Sequence, residues 1–151
     1  SWSPEKLYKE IEPIWIQNNW STHSQEWGIN LAKLLGPSMT VLNDAQSQAK
    51  PFFEMPLLSS EAKSQLEQQG SLESLKFIYK ELQGNSWDGT DKDFPKQLIN
   101  QCSKQIGVKK GLIMKSLRAA LLGDINGPDL ITSWSLLACV GEDRVRLSAC
   151  I

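Results

Sequence analysis

The sequence predicts an all-α protein, a bundle of about seven to nine helices. Three observations carry that prediction. Apolar residues recur at spacings of three and four along most of the chain, the periodic runs stop at glycine or proline, and no alternating strand pattern of useful length interrupts them. At 151 residues the chain has room for one sizeable core or for two small helical subdomains sharing an interface.

The elements follow in order. Ser3-Pro4 reads as an N-cap and a first-turn proline, opening a helix through Trp20 with Leu7, Ile11, Ile14 and Trp15 on one side. A second helix from about Ser24 repeats Trp27, Leu31, Leu34 and Leu35 and stops at Gly36-Pro37, where glycine is free to turn left-handed. A third is expected from Met39 to Lys50, broken by Pro51. Apolar Pro51–Ser59 reads as a joint. Helices are expected next at Ser60–Gln69 and Ser71–Gln83, the latter with Leu75, Ile78, Tyr79 and Leu82 as its stripe. Asn85–Asp93 is a turn-rich loop holding Trp87-Asp88-Gly89. Helices at Pro95–Ile106, Lys110–Leu122 and Pro128–Val140, closed by Gly107, Gly123 and Gly141, complete the chain.

Composition narrows the function. A hydrophobic fraction of 40% and a charged fraction of 22% are those of a globular protein, and no apolar run approaches the roughly 18 residues of a membrane span. SWSPEKLYKE lacks the features of a signal peptide, and its start directly before a helix signal reads as a piece of a longer chain. Cys102, Cys139 and Cys150, odd in number and without a CxxC pair, fit packed thiols in a reducing, cytoplasmic setting. The net charge of −1 conceals an uneven distribution: Phe94–Gly123 holds Lys96, Lys104, Lys109, Lys110, Lys115 and Arg118 without one carboxylate, so +6 there leaves −7 elsewhere. Such a basic field suits a polyanion, although a solvated helical face gives the same composition.

Catalytic chemistry is missing. The one histidine, His23, supports neither a metal cluster nor a triad, and no phosphate-cradling glycine loop is present. Glu5/Glu12 and Asp91/Asp93 lack the apolar surroundings that push paired carboxyl pKa values apart. No catalytic residue, metal site or cofactor site is expected. Of the six tryptophans (Trp2, Trp15, Trp20, Trp27, Trp87 and Trp134), Trp15, Trp27 and Trp134 lie on apolar stripes and read as core, while Trp87 sits in a Gly-containing loop and is the candidate for exposure.

The informative stretch is residues 107–131. On a helical projection centred on Ile113, Leu117, Ala120 and Leu121 share the buried side, and Gly111, Lys115 and Arg118 cluster opposite. Gly111 costs roughly 1 kcal/mol relative to alanine inside a helix, which the close approach of a backbone or ligand would explain. Lys109 and Lys110 precede the helix, where its dipole favours anions.

The string KGLIMKSLRAALLGDINGPDL resembles the motif near the carboxy terminus of bacterial-type glutamyl-tRNA synthetases, in which Lys-Gly leads into Leu-Arg-Ala-Ala-Leu-x-Gly and a Pro-x-Leu turn. Leu-Gly-Pro at 35–37 and Lys-Pro-Phe-Phe at 50–53 extend the likeness more weakly. The resemblance implies a cage-like α-helical anticodon-binding region of two subdomains, here 1–50 and 51–151. The catalytic domain of that glutamate–tRNA ligase, with its ATP and magnesium, would lie upstream. It further implies that Arg118 contacts anticodon bases and that Gly127, Pro128 and Leu130 form the turn against which the nucleotides pack. Lys109, Lys110 and Lys115 would hold backbone phosphates. At Gly36 the chain departs from family members that carry arginine there to select the glutamate tRNA, so both tRNA-Glu and tRNA-Gln become expected partners of a monomeric module. The alternative is a protein-interaction domain that docks a regulator or an enzyme of the tRNA-dependent pathway.

Overall fold

A computed structural model describes residues 2–151. Nine α-helices, one 3-10 turn and one π turn account for the regular structure of the described residues, and no strand occurs among them. Two compact units part between Glu54 and Met55.

The first unit holds α1 (Pro4–Gln17), α2 (Gln25–Leu35), a 3-10 turn (Gly36–Ser38) and α3 (Asp44–Phe53). Ser3 and Ser24 open α1 and α2: the Ser3 hydroxyl accepts the Lys6 N–H at 3.2 Å and Ser24 accepts that of Trp27 at 3.1 Å. The buried faces bring Ile11, Trp15, Trp27 and Leu31 together as their spacing requires, with Ala45, Ala49 and Phe52 added from α3. Three expectations about α3 and Gly36 fail here. The third helix starts at Asp44 rather than Met39, because the Asp44 carboxylate accepts the N–H groups of Thr40 and Val41 and holds 40–43 as a turn. It also runs through Pro51 to Phe53. That proline gives up one i→i−4 bond without ending the helix, which closes two residues later with Glu54 donating to Lys50 O at 2.9 Å. Gly36 is also not a left-handed stop: its φ of −50° and ψ of −48° are right-handed, and the chain passes on into a 3-10 turn.

The second unit holds α4 (Ser60–Leu66), α5 (Ser71–Gln83), α6 (Asp93–Cys102), a π turn (Ser103–Gly107), α7 (Lys110–Leu122), α8 (Leu130–Cys139) and α9 (Glu142–Cys150). Helix α7 is its axis and packs against α4, α5, α6, α8 and α9. It ends at Gly123, whose φ of +79° is the left-handed stop that Gly36 does not make. Sequence reasoning misses α9, because EDRVRLSAC has no helical apolar stripe. Its inward side is charged. Arg146, 1% exposed, donates to Leu121 O at 2.8 Å and to Glu142, and buried Asp143 accepts the Trp134 indole N–H at 3.1 Å. Trp87 is not exposed either; it packs edge-on to Trp134 at 5.7 Å and donates to Asp91 O at 2.8 Å. Of the cysteines, Cys102 is buried, Cys150 partly buried and Cys139 exposed.

Candidate nucleic-acid interface

The rotation of α7 determines which of its residues face outward. Ile113, Leu117, Ala120 and Leu121 are buried as the projection requires, and Ser116 and Ala119 are buried beside them, so the covered arc is wider than the sequence suggests. A buried serine needs partners. Ser116 Oγ donates to Leu112 O at 2.7 Å and stands 2.9 Å from Ser71 Oγ, which donates to Gln65 O at 2.7 Å. This polar cluster fixes α7 against α4 and α5 in one orientation, because a turned helix would leave these groups unpaired. What remains outside is a strip of Gly111, Met114 and Lys115, with Arg118 partly buried at its end. A Cβ on Gly111 would meet nothing within 4 Å. Packing within this chain therefore does not explain that glycine, and the space over it is open. Lys109 is the extended N-cap residue of α7 and Lys110 its first residue; both are exposed, as is Lys104.

Beyond Gly123 the chain turns through 124–129 and meets Arg118. The Arg118 guanidinium donates from Nη1 to Pro128 O at 2.6 Å. Among the described residues it makes no other hydrogen bond and no carboxylate lies within ion-pair distance of it. Gly127 has a φ of +153°, which side-chain-bearing residues rarely adopt, and a Cβ there would stand 3.8 Å from Arg118 Nη1. Leu130, 1% exposed, anchors the turn from beneath, so Gly127 and Pro128 form its outer part. Asp129 caps α8 by accepting the Thr132 N–H at 2.9 Å. That bond, helped by Arg118 and Lys92 nearby, holds the Asp129 carboxyl below its ordinary pKa.

The second unit thus brings Arg118, Gly127, Pro128 and Leu130 together and carries Lys109, Lys110 and Lys115 on α7 and its approach. Gly36 lies in the first unit. It lines a shallow cleft with Trp2, Leu7, Met39, Thr40, Val41 and Leu42, and a Cβ there would meet only the Leu7 Cδ2 methyl, at 2.9 Å. Sequence reasoning missed Asp129 and Lys92. The cap signal was present in Asp129-x-x-Thr132, but Lys92, flanked by Asp91 and Asp93, falls outside the carboxylate-free window. Among the described residues no group of His, Cys, Asp and Glu is placed to hold a metal, and no helix is long and apolar enough to cross a membrane.

An all-α chain whose central helix presents cations beside an arginine-bound turn is built as a helical module with a cationic surface. Comparison with known families makes this specific: the chain belongs to the anticodon binding domain family, which matches residues 6–147. It is 46% identical over 150 residues to a glutamate–tRNA ligase of Synechococcus sp. strain CC9311, covering 99% of this chain and 32% of that protein. It is 50% identical over 149 residues to the glutamate–tRNA ligase of Prochlorococcus marinus strain NATL2A, covering 99% and 31%. The chain therefore spans about a third of the length of these relatives. A glutamate tRNA ligase from Elizabethkingia meningosepticum, solved with its amino acid, has the same fold at a TM-score of 0.83 and 22% identity, over 99% of this chain and 29% of that one.

Proposed function

We propose that this chain is the anticodon-reading module of a glutamate–tRNA ligase and that its tRNA specificity is relaxed. One observation carries the reading of the site: the Arg118 guanidinium is oriented by a single bond to Pro128 O, which leaves the rest of its donor fork without a protein acceptor. Such a fork matches the acceptor edge of an unstacked base, and single-stranded loop bases are recognised by this kind of polar contact together with stacking. Gly127 and Pro128 supply the surface beside it. Lys109, Lys110 and Lys115 supply positive charge for backbone phosphates, which positions the RNA without reading it. Aminoacylation, with its ATP and magnesium, belongs in this reading to the catalytic part of the ligase.

The relaxed specificity rests on Gly36. A side-chain donor to a base edge is worth about 1–3 kcal/mol, or roughly 5- to 150-fold in discrimination, and glycine has none to offer. The right-handed backbone at Gly36 removes one competing explanation for the residue, since its conformation does not require glycine. The intact ligase should therefore charge tRNA-Glu and tRNA-Gln with similar efficiency. The first carbon of a side chain at position 36 meets only the tip of Leu7 within 4 Å, and Gly36→Arg should shift the preference toward tRNA-Glu. If the unaltered enzyme prefers tRNA-Glu by more than about 100-fold, near the top of what one such contact supplies, the relaxed-specificity reading is wrong.

A further inference from the structure

The loop between α5 and α6, which the basic window excludes, ends beside the Arg118 turn. It is tightly built. Arg144 Nη2 reaches the carbonyl oxygens of Leu82, Asn85 and Trp87 at 3.3, 3.1 and 3.1 Å, and the Trp87 indole N–H closes on Asp91 O. Asn85, Asp88 and Asp91 each accept a backbone N–H two residues ahead. At Gly89 a Cβ would run into the Ser135 carbonyl, so the loop backbone lies directly on α8. These constraints deliver Lys92 to a defined place. Its Nζ stands 3.4 Å from Thr132 Oγ1, and it acts with Arg118 on Asp129.

We infer that Lys92 is a further RNA-contacting residue of the same surface, taking a backbone phosphate of the loop whose base Arg118 reads. This rests on the anticodon-reading proposal and extends it. Lys92 is exposed, and no carboxylate among the described residues lies within ion-pair distance of it. None of its acidic neighbours forms an ion pair with it. Asp129 spends its carboxylate on the α8 cap, Asp91 accepts the Asp93 N–H, and exposed Asp93 forms no ion pair with it. Lys92 and Arg118 both act on Asp129, yet neither is held in an ion pair with it, so both cations remain open to a further anionic partner. A compact ammonium on a flexible stem suits a phosphate as a point charge, whereas the planar guanidinium suits a base edge. The juxtaposition thus provides both kinds of contact that RNA recognition uses.

The test measures binding of labelled tRNA-Glu transcripts, with native and substituted anticodons, to the chain across a salt series. Lys92→Met should weaken binding severalfold for every anticodon and flatten the log–log salt slope by about 0.7, the value for one phosphate on a single strand. Lys92→Arg should restore the slope. A loss of affinity with the slope unchanged would mark Lys92 as structural and overturn the inference, as would a Lys92→Met variant that binds like the unaltered chain. If Arg118→Ala weakens binding while Lys92→Met does not, only this inference falls. If the unaltered chain shows no salt-dependent tRNA binding, the anticodon-reading proposal falls with it.

Discussion

The two units are held together by different means. In the first, one ring gathers the core: Phe53 stacks on Trp20 at 5.1 Å, tilts against Trp15 at 5.2 Å and meets Trp27 edge-on at 5.4 Å. The Trp15 indole N–H donates to Ala45 O and that of Trp20 to the Glu54 carboxylate. In the second, mostly aliphatic residues surround the Trp87–Trp134 pair and buried polar groups lock the packing: Ser116 with Ser71 and Gln65, Arg146 on Leu121 O, and Asp143 on Trp134. Apolar burial is non-directional and rewards collapse. Buried hydrogen bonds penalise every orientation but one. The unit that carries Arg118 is the one whose central helix is locked in rotation and in position along its axis, as a readout requiring placed donors demands.

Two substitutions sharpen that contrast. Trp15 is fully buried within the aromatic cluster, so Trp15→Ala should have the largest effect, a loss of about 3–5 kcal/mol in denaturant-induced unfolding. If the first unit tolerated it with little loss, the ring cluster would not be what holds that unit. Arg146→Met keeps the apolar stem but strands Leu121 O, on the last turn of α7, and should cost about 1.5–3 kcal/mol, the range for a charge-assisted bond. It should also weaken anticodon-dependent binding, because the lost bond is one turn from Arg118. Equal losses of stability without any change in binding would mean that the polar lock serves only the fold.

The fold class and most helix boundaries were legible in the sequence because they follow from periodicity and punctuation: α7 was read at its observed limits, Lys110–Leu122. The failures share a cause. Helix α9 depends on Arg146 bonded to the distant Leu121 O, and the true start of α3 and the burial of Trp87 depend on side chains bonded to irregular backbone four residues away, none of which apolar periodicity registers. In the candidate site the outward placement of Lys115 was readable from helical spacing. The Arg118–Pro128 bond and the approach of Lys92 were not, since both are made by loops folding back onto a helix.

The most direct measurement compares the affinity of Arg118→Ala with that of the unaltered chain for tRNA-Glu transcripts bearing native and substituted anticodons, with Lys110→Ala as control. Arg118→Ala should bind the native anticodon about 5- to 150-fold more weakly and bind the substituted anticodons nearly as well as the native one. Lys110→Ala should weaken all transcripts alike and flatten the salt slope. An Arg118→Ala variant that kept both its affinity and its anticodon preference would contradict the account.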